Sequence, residues 1–181
     1  DVLEFDHSGE QLIYDAFNQL SGTFGQDLSY WDVGIMDVWD NGTSSFGDGN
    51  IFKLFSGLPK NVSVGNPTFA KNTPNVIAFD YIETDPLTEE VTNSVLGLDR
   101  ATGDVNEIFE NNTLGYPSYG LDDSNIIFHV ENNGVDILAI TDIGADRISS
   151  VGDVFIFLES ADWGIYVGNG DRDLTTATDD V

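Results

Sequence analysis

An all-β fold, a propeller-like array of four-stranded antiparallel blades, is what this 181-residue sequence predicts, on three observations. The first is a recurring pattern. In residues 115–132 an aromatic (Tyr119) is followed by an Asp- and Asn-rich turn and then by the apolar run Ile126-Ile127-Phe128, and the order returns around Phe5, Phe69 and Phe157. The second is internal order: each full copy reads as four short apolar segments separated by turn residues, and repeats of about 40–50 residues are a signature of propeller blades. The third is the scarcity of helical periodicity. Only residues 10–20 offer a helical reading, against an aromatic-rich, glycine-ended composition.

Taken in order, Leu3 and Phe5 lead through the turn Asp6-His7-Ser8-Gly9 into Leu12-Ile13-Tyr14, a hairpin signal. Residues 16–30 are polar and glycine-bearing and read as an inserted loop. Strands are expected over 31–39 and 51–56, joined by the turn-rich stretch 40–50. The second copy opens at Pro67-Thr68-Phe69, turns through 70–74 and continues over 75–82; after a loop at 83–93, strands are expected at 94–99 and 104–110. Between these two, Asp99-Arg100-Ala101-Thr102-Gly103 is a tight meander turn closed by glycine. The third copy continues over 135–142, a turn at 143–146 and a short strand at 147–150. A partial fourth is expected from Gly152, with Phe157 in the opening aromatic place and Ile165-Tyr166-Val167 in the closing run. The expected division is therefore one domain over 1–169, with blades at about 1–58, 59–114 and 115–150, a partial blade at 151–169, and an acidic tail at 170–181.

The chain is long enough to bury a core without a staple, and its lack of cysteine excludes disulfides, thiol nucleophiles and thiolate metal sites. With 32 acidic against 6 basic residues, a net charge of −26, the surface field repels phosphate backbones and anionic lipid, so nucleic acid is not an expected partner. At 40% hydrophobic residues the charge coats a folded body rather than an acidic disordered segment. No apolar run of about 18 residues occurs, so no membrane-inserted helix is expected.

These motifs resemble the TolB-type, WD-like propeller repeat. Pro67 and Pro117 stand at its leading proline, Phe69 and Tyr119 at its aromatic, and Asp6-His7-Ser8-Gly9 and Leu121-Asp122-Asp123-Ser124 near its Ser-Pro-Asp-Gly turn. Ile77-Ala78-Phe79 matches its closing strand, Ile126-Ile127-Phe128 nearly so, and Asp37, Asp99 and Asp142 fall at the ends of third strands. The resemblance implies a propeller, a periplasmic or extracellular location, and binding of proteins or glycans. Three blades and a part do not close a ring, since propellers use about four to eight. Either strands outside this sequence complete a larger propeller, or the chain closes on a partner, or it forms an open arc whose sheet edges invite strand addition.

No catalytic constellation is legible. The two histidines, His7 and His129, fall at different places in the repeat, and no Gly-x-Ser-x-Gly elbow occurs. Ca²⁺ takes about six to eight oxygen ligands, and Asp37, Asp40, Asn41, Asp48 and Asn50 offer them in a glycine-bearing stretch; residues 168–173 are a shorter candidate. The same residues also dominate plain turns. Tyr30, Trp31 and Trp39 are the candidate binding aromatics, for sugar stacking or a protein hot spot. The expected function is a non-enzymatic extracytoplasmic interaction module, binding protein partners or its own copies; the alternative is a calcium-dependent glycan-binding domain.

Overall fold

The computed structural model describes residues 2–22 and 27–166, and among these every regular element is a strand. Three four-stranded antiparallel sheets follow one another along the chain. Blade one holds β1 (Leu3–Phe5), β2 (Gln11–Ser21), β3 (Asp27–Asp37) and β6 (Ile51–Lys53), with a small hairpin, β4 (Trp39–Asp40) and β5 (Ser45–Phe46), looped out between the last two. Blade two is a meander of β7 (Val62–Phe69), β8 (Val76–Thr84), β9 (Val91–Asp99) and β10 (Asp104–Asn111). Blade three repeats it with β11 (Ser118–Tyr119), β12 (Asn125–Asn132), β13 (Val135–Ile143) and, in the outer place, β14 (Ser150–Glu159).

Why a sequence of short apolar runs makes this array is clearest on β8. Side chains alternate across a strand. Ile77 and Phe79 therefore enter a core with Ile13, Val33 and Ile35 of blade one, whereas Val76 and Ala78 enter another with Tyr119, Ile126, Phe128 and Ala139 of blade three. All four β8 residues are essentially inaccessible. A strand covered on both faces needs a continuous apolar run rather than an alternating one, which is why Ile77-Ala78-Phe79 stands out in the sequence.

Polar struts tie the blades together about midway along the strands that carry them. Asp15 of β2 and Asp80 of β8 hold the same register, opposite Val33 and Val95. Asp15 accepts the Asn66 N–H at 3.0 Å through Oδ2 and the Val2 N–H at 2.8 Å through Oδ1. Asp80 accepts the amides of Gly115 and Tyr116 at 2.8 and 3.1 Å and the Asn66 side-chain amide at 2.7 Å. Asn66 and Tyr116 are held at φ of 48° and 46°, a left-handed conformation costly for residues with a side chain, and the carboxylates offset that cost by binding their N–H groups. Gly115 has no room for a Cβ, which would collide with Val95 and the Asp80 carboxylate. A second clasp is the fully buried Asp123, which accepts the amides of Lys71 and Asn72 and the Thr73 hydroxyl from the neighbouring blade.

Four sequence expectations are corrected. Of the inserted loop expected at 16–30, residues 16–21 and 27–30 are strand, β2 and β3 pairing Ala16 with Asp32, Phe17 with Trp31 and Asn18 with Tyr30, while 23–26 lie outside the described residues. This extension stands largely exposed at the end of the sheet and mixes polar residues (Asn18, Gln19, Ser21, Asp27, Ser29) with the exposed Phe17 and Leu20, so no clean alternation marks it as strand. Likewise 10–20 is strand, not helix; Ile13 and Asp15 are buried at period two. The loops at 40–50 and 83–93 are shorter than expected, because the first contains β4 and β5 and the second loses its ends to β8 and β9.

The fourth correction concerns the chain after residue 150. The stretch from Gly152 is not the opening of a partial fourth blade but the body of β14, whose Phe155 and Ile156 pair with Ile140 and Ala139 of β13. Phe157 sits where that pairing shifts register, not in an opening aromatic place. An apolar run reads as an inner strand in sequence, and only the pairing reveals an outer one. Val167, the stretch 168–173 and the tail 170–181 lie outside the described residues.

Truncating the doubly packed core is expected to be severe: Phe128→Ala should cost about 3–5 kcal/mol, against less than about 0.5 kcal/mol for an exposed change such as Val105→Thr on β10. Urea unfolding of both variants beside the parent chain checks this, and equal midpoints for the two would refute the core between blades two and three.

Candidate functional site

A broad recess lies where the turns of blades one and two meet. It encloses about 840 Å³ and is lined by the β1–β2 turn (Asp6, His7, Ser8, Glu10), the end of β3 and the β4–β5 hairpin, and by Pro74, Asn75 and Arg100 of blade two. The Asp6 carboxylate organises the turn by accepting the Gln11 N–H at 2.9 Å and the Ser8 hydroxyl at 2.5 Å. Burial pushes the Asp6 carboxyl up, but these hydrogen bonds outweigh it and leave its pKa below the ordinary value.

Across the recess runs a polar chain. Gln11 donates to Asp37 Oδ1 at 2.9 Å and accepts from Arg100 Nη2 at 2.8 Å, and the same Arg100 nitrogen reaches the Pro74 carbonyl at 3.2 Å. The guanidinium also lies over the Phe69 ring at 5.8 Å, and its buried Nε has no hydrogen-bond partner among the described residues. Burial lowers the Arg100 pKa, while Asp6 and Asp37 favour its charge. Asp6, Glu10, Asp37, Asp40 and Asp48 thus face one arginine and one histidine, and the recess carries a negative field suited to cationic or hydroxyl-rich groups.

The sequence-derived site residues are only partly gathered here. Asp37, Asp40 and Asp48 line the recess, as does Trp39, whose ring meets Phe46 edge-on at 5.6 Å. The Thr43 side chain, together with the amides of Thr43 and Gly42 donated at 3.2 and 2.8 Å, lowers the Asp40 pKa and makes this residue a turn-builder. Asn41 donates its N–H to Glu10 at 2.9 Å and its side-chain amide to the Ser8 carbonyl at 3.2 Å. Asn50 bonds to Asp37 through the backbone, its carbonyl accepting the Asp37 N–H at 3.1 Å. Among the described residues no group of three or more His, Asp or Glu side chains converges to hold a metal ion.

Tyr30 and Trp31 are elsewhere, on the β2–β3 extension, and being adjacent on one strand they point to opposite faces. Lys53 donates to Tyr30 at 3.4 Å and forms an ion pair with Asp32 at 2.6 Å, while Trp31 packs against Phe17 at 5.4 Å. Sequence reasoning missed Gln11 and Arg100, which bridge the two blades. The signal available was a lone arginine in a tight turn of a chain holding only 6 basic residues.

Large apolar side chains are exposed at both ends of the array. In blade one Leu3 and Phe5 are 64% and 57% exposed, and in blade three β14 is exposed along almost its whole length. Neither end is covered by a further sheet among the described residues.

No family model matches the chain, and no curated protein matches it. Among solved structures it is similar to TolB from Acinetobacter baumannii, at 16% identity and a TM-score of 0.45, over 81% of this chain and 41% of that one. It is also similar to a luciferin-regenerating enzyme, at 14% identity and a TM-score of 0.49, over 86% of this chain and 59% of that one. The chain therefore spans less than two thirds of either neighbour's length.

One consequence of the struts is a pH dependence. Burial, the largest influence, raises the Asp80 carboxyl from 3.8 to about 6 despite the hydrogen bonds from Asn66, Tyr116 and Gly115. Between those values the folded chain holds a proton that the unfolded chain releases, so the stabilisation is complete below about pH 4 and lost as pH rises through about 6, in all about 3 kcal/mol. Urea midpoints from acid to neutral pH should show this decline relative to Asp80→Asn, which cannot titrate; parallel curves for the two proteins would contradict it.

Proposed function

We propose that this chain is a non-enzymatic interaction module, working in the periplasm or outside the cell, that binds protein partners or its own copies through its blade edges and loops. The observation that supports the reading is the pair of apolar ends. In blade one, Leu3, Tyr14 and Gly34 share one register row and Phe5, Leu12 and Met36 the next, on the face turned away from blade two. Contiguous exposed apolar surface of this kind marks a site of association rather than a solvated face.

Light scattering over a wide protein concentration range, at low and high salt, tests the self-assembly arm. The mass should rise with concentration at high salt, where the −26 charge is screened, and the double variant Leu3→Asp/Phe5→Asp should remain monomeric. A constant monomer mass at every salt concentration would sink that arm.

A second reading, a calcium-dependent glycan-binding domain, draws on the recess, where Trp39 and the 86%-exposed Phe46 offer ring faces beside Asp37, Asp40 and Asp48. Calorimetric titration with acidic and neutral oligosaccharides, before and after chelation, decides it: calcium-dependent heat lost in Phe46→Ala supports the reading, and the absence of heat with calcium present defeats it.

A further inference from the structure

β14 is unusual for its place. Its outer edge pairs with no strand among the described residues, so its outward N–H and C=O groups stand ready for another strand. Along that edge Val154, Phe155, Ile156, Phe157 and Leu158 are consecutive, and all are 37–60% exposed. The corresponding outer strand of blade two, β10, exposes Asp104, Asn106 and Glu107, with Val105 its one exposed large hydrophobic residue. An apolar rim is therefore not a requirement of the outer position.

Nor would an additional blade account for it. Phe155 and Leu158 pair with Ile140 and Leu138, in the register rows of Ile127 and His129, and a sheet stacked on that face would cover them. Ile156 pairs with Ala139, in the row of Phe128, on the face that packs against blade two. It is nonetheless 57% exposed with blade two in place. What would bury both sets at once is a strand added alongside β14, whose own side chains alternate over the two faces.

Charge selects the occupant. The only ionisable groups on β14 are Asp153 and Glu159, and the chain as a whole stands at −26. A second copy would set this edge, with its carboxylates, against itself, whereas a segment with basic flanks would gain from the same field.

We propose that the outer edge of β14 is a docking site for an extended segment of a protein partner, which adds as a fifth strand to blade three and carries an apolar centre flanked by lysine or arginine. The inference rests on the reading of the chain as an interaction module and gives that reading a site and a partner chemistry.

Random peptides displayed on phage and panned against the full chain test it. Enriched sequences should combine β-prone apolar centres with basic flanks. As synthetic peptides they should slow amide exchange along β14, bind more weakly as salt rises, and lose at least about tenfold in affinity to Ile156→Asp and to Phe155→Asp but not to Val105→Asp on β10. Both substituted positions are exposed, and circular dichroism confirms that the variants fold. No enrichment, protection confined to another strand, or equal binding of acid-flanked peptides would overturn the proposal. So would self-association of the parent chain that Ile156→Asp abolishes, which would make a second copy the occupant. If no peptide binds but the chain still associates through Leu3 and Phe5, the docking site falls and the interaction module stands; if neither occurs, both fall.

Discussion

Everything in this molecule hangs on the two-sided burial of blade two. A single four-stranded sheet has two faces and cannot be stable with both in water, and here blade two has both covered, by blade one through Ile77 and Phe79 and by blade three through Val76 and Ala78. Each aromatic or branched residue buried in this way is worth about 1.5–3 kcal/mol, so the two interfaces outweigh any polar contact in the molecule. Blades one and three receive one partner each. In blade one the other face leaves Leu3 and Phe5 exposed, and in blade three the exposed apolar residues lie along the outer edge, on β14.

Polar groups set the alignment of that stack rather than its strength. Asp15 and Asp80 occupy one register position and bind the backbone at or just before the innermost strands, so each blade's start is fixed by a carboxylate. The third member of the series is His129, opposite Leu138. Its ring faces the Leu114 carbonyl at 3.0 Å and Asp136 at 2.9 Å, so it closes a contact within its own blade and with the preceding loop. The series ends where the stack of described blades ends. Asp80 also shows what a strut costs: a carboxylate buried to hold two amides is disfavoured by that burial.

The acidic recess and the apolar rim have different physical origins. Turns are rich in Asp because a carboxylate satisfies nearby N–H groups, as Asp6 and Asp40 do, and bringing several such turns to one end of neighbouring sheets concentrates negative charge there without any ligand to hold. The rim of β14 has no such local explanation. Its residues are β-formers that serve the strand equally well if polar on the outside, as β10 demonstrates, and their apolarity is therefore the feature that asks for a partner.

How much of this was legible in the sequence follows from the range of the forces involved. Local alternation and turn chemistry determined the all-β class, the hairpin at Asp6-His7-Ser8-Gly9, the turn closed by Gly103 and the doubly buried run Ile77-Ala78-Phe79, because each depends on residues within a few positions. The candidate site was legible in part: Trp39, Asp37, Asp40 and Asp48 meet in one recess, while Tyr30 and Trp31 lie on a hairpin end that polar composition made look like a loop. Only the tertiary structure decided that Arg100 and Gln11 join two blades, and that the run from Val154 to Leu158 is an outer strand rather than the start of another blade. Pairing across a sheet and packing between sheets connect residues far apart in the chain, and a strand's own composition states that it is apolar without stating which neighbour, if any, covers it.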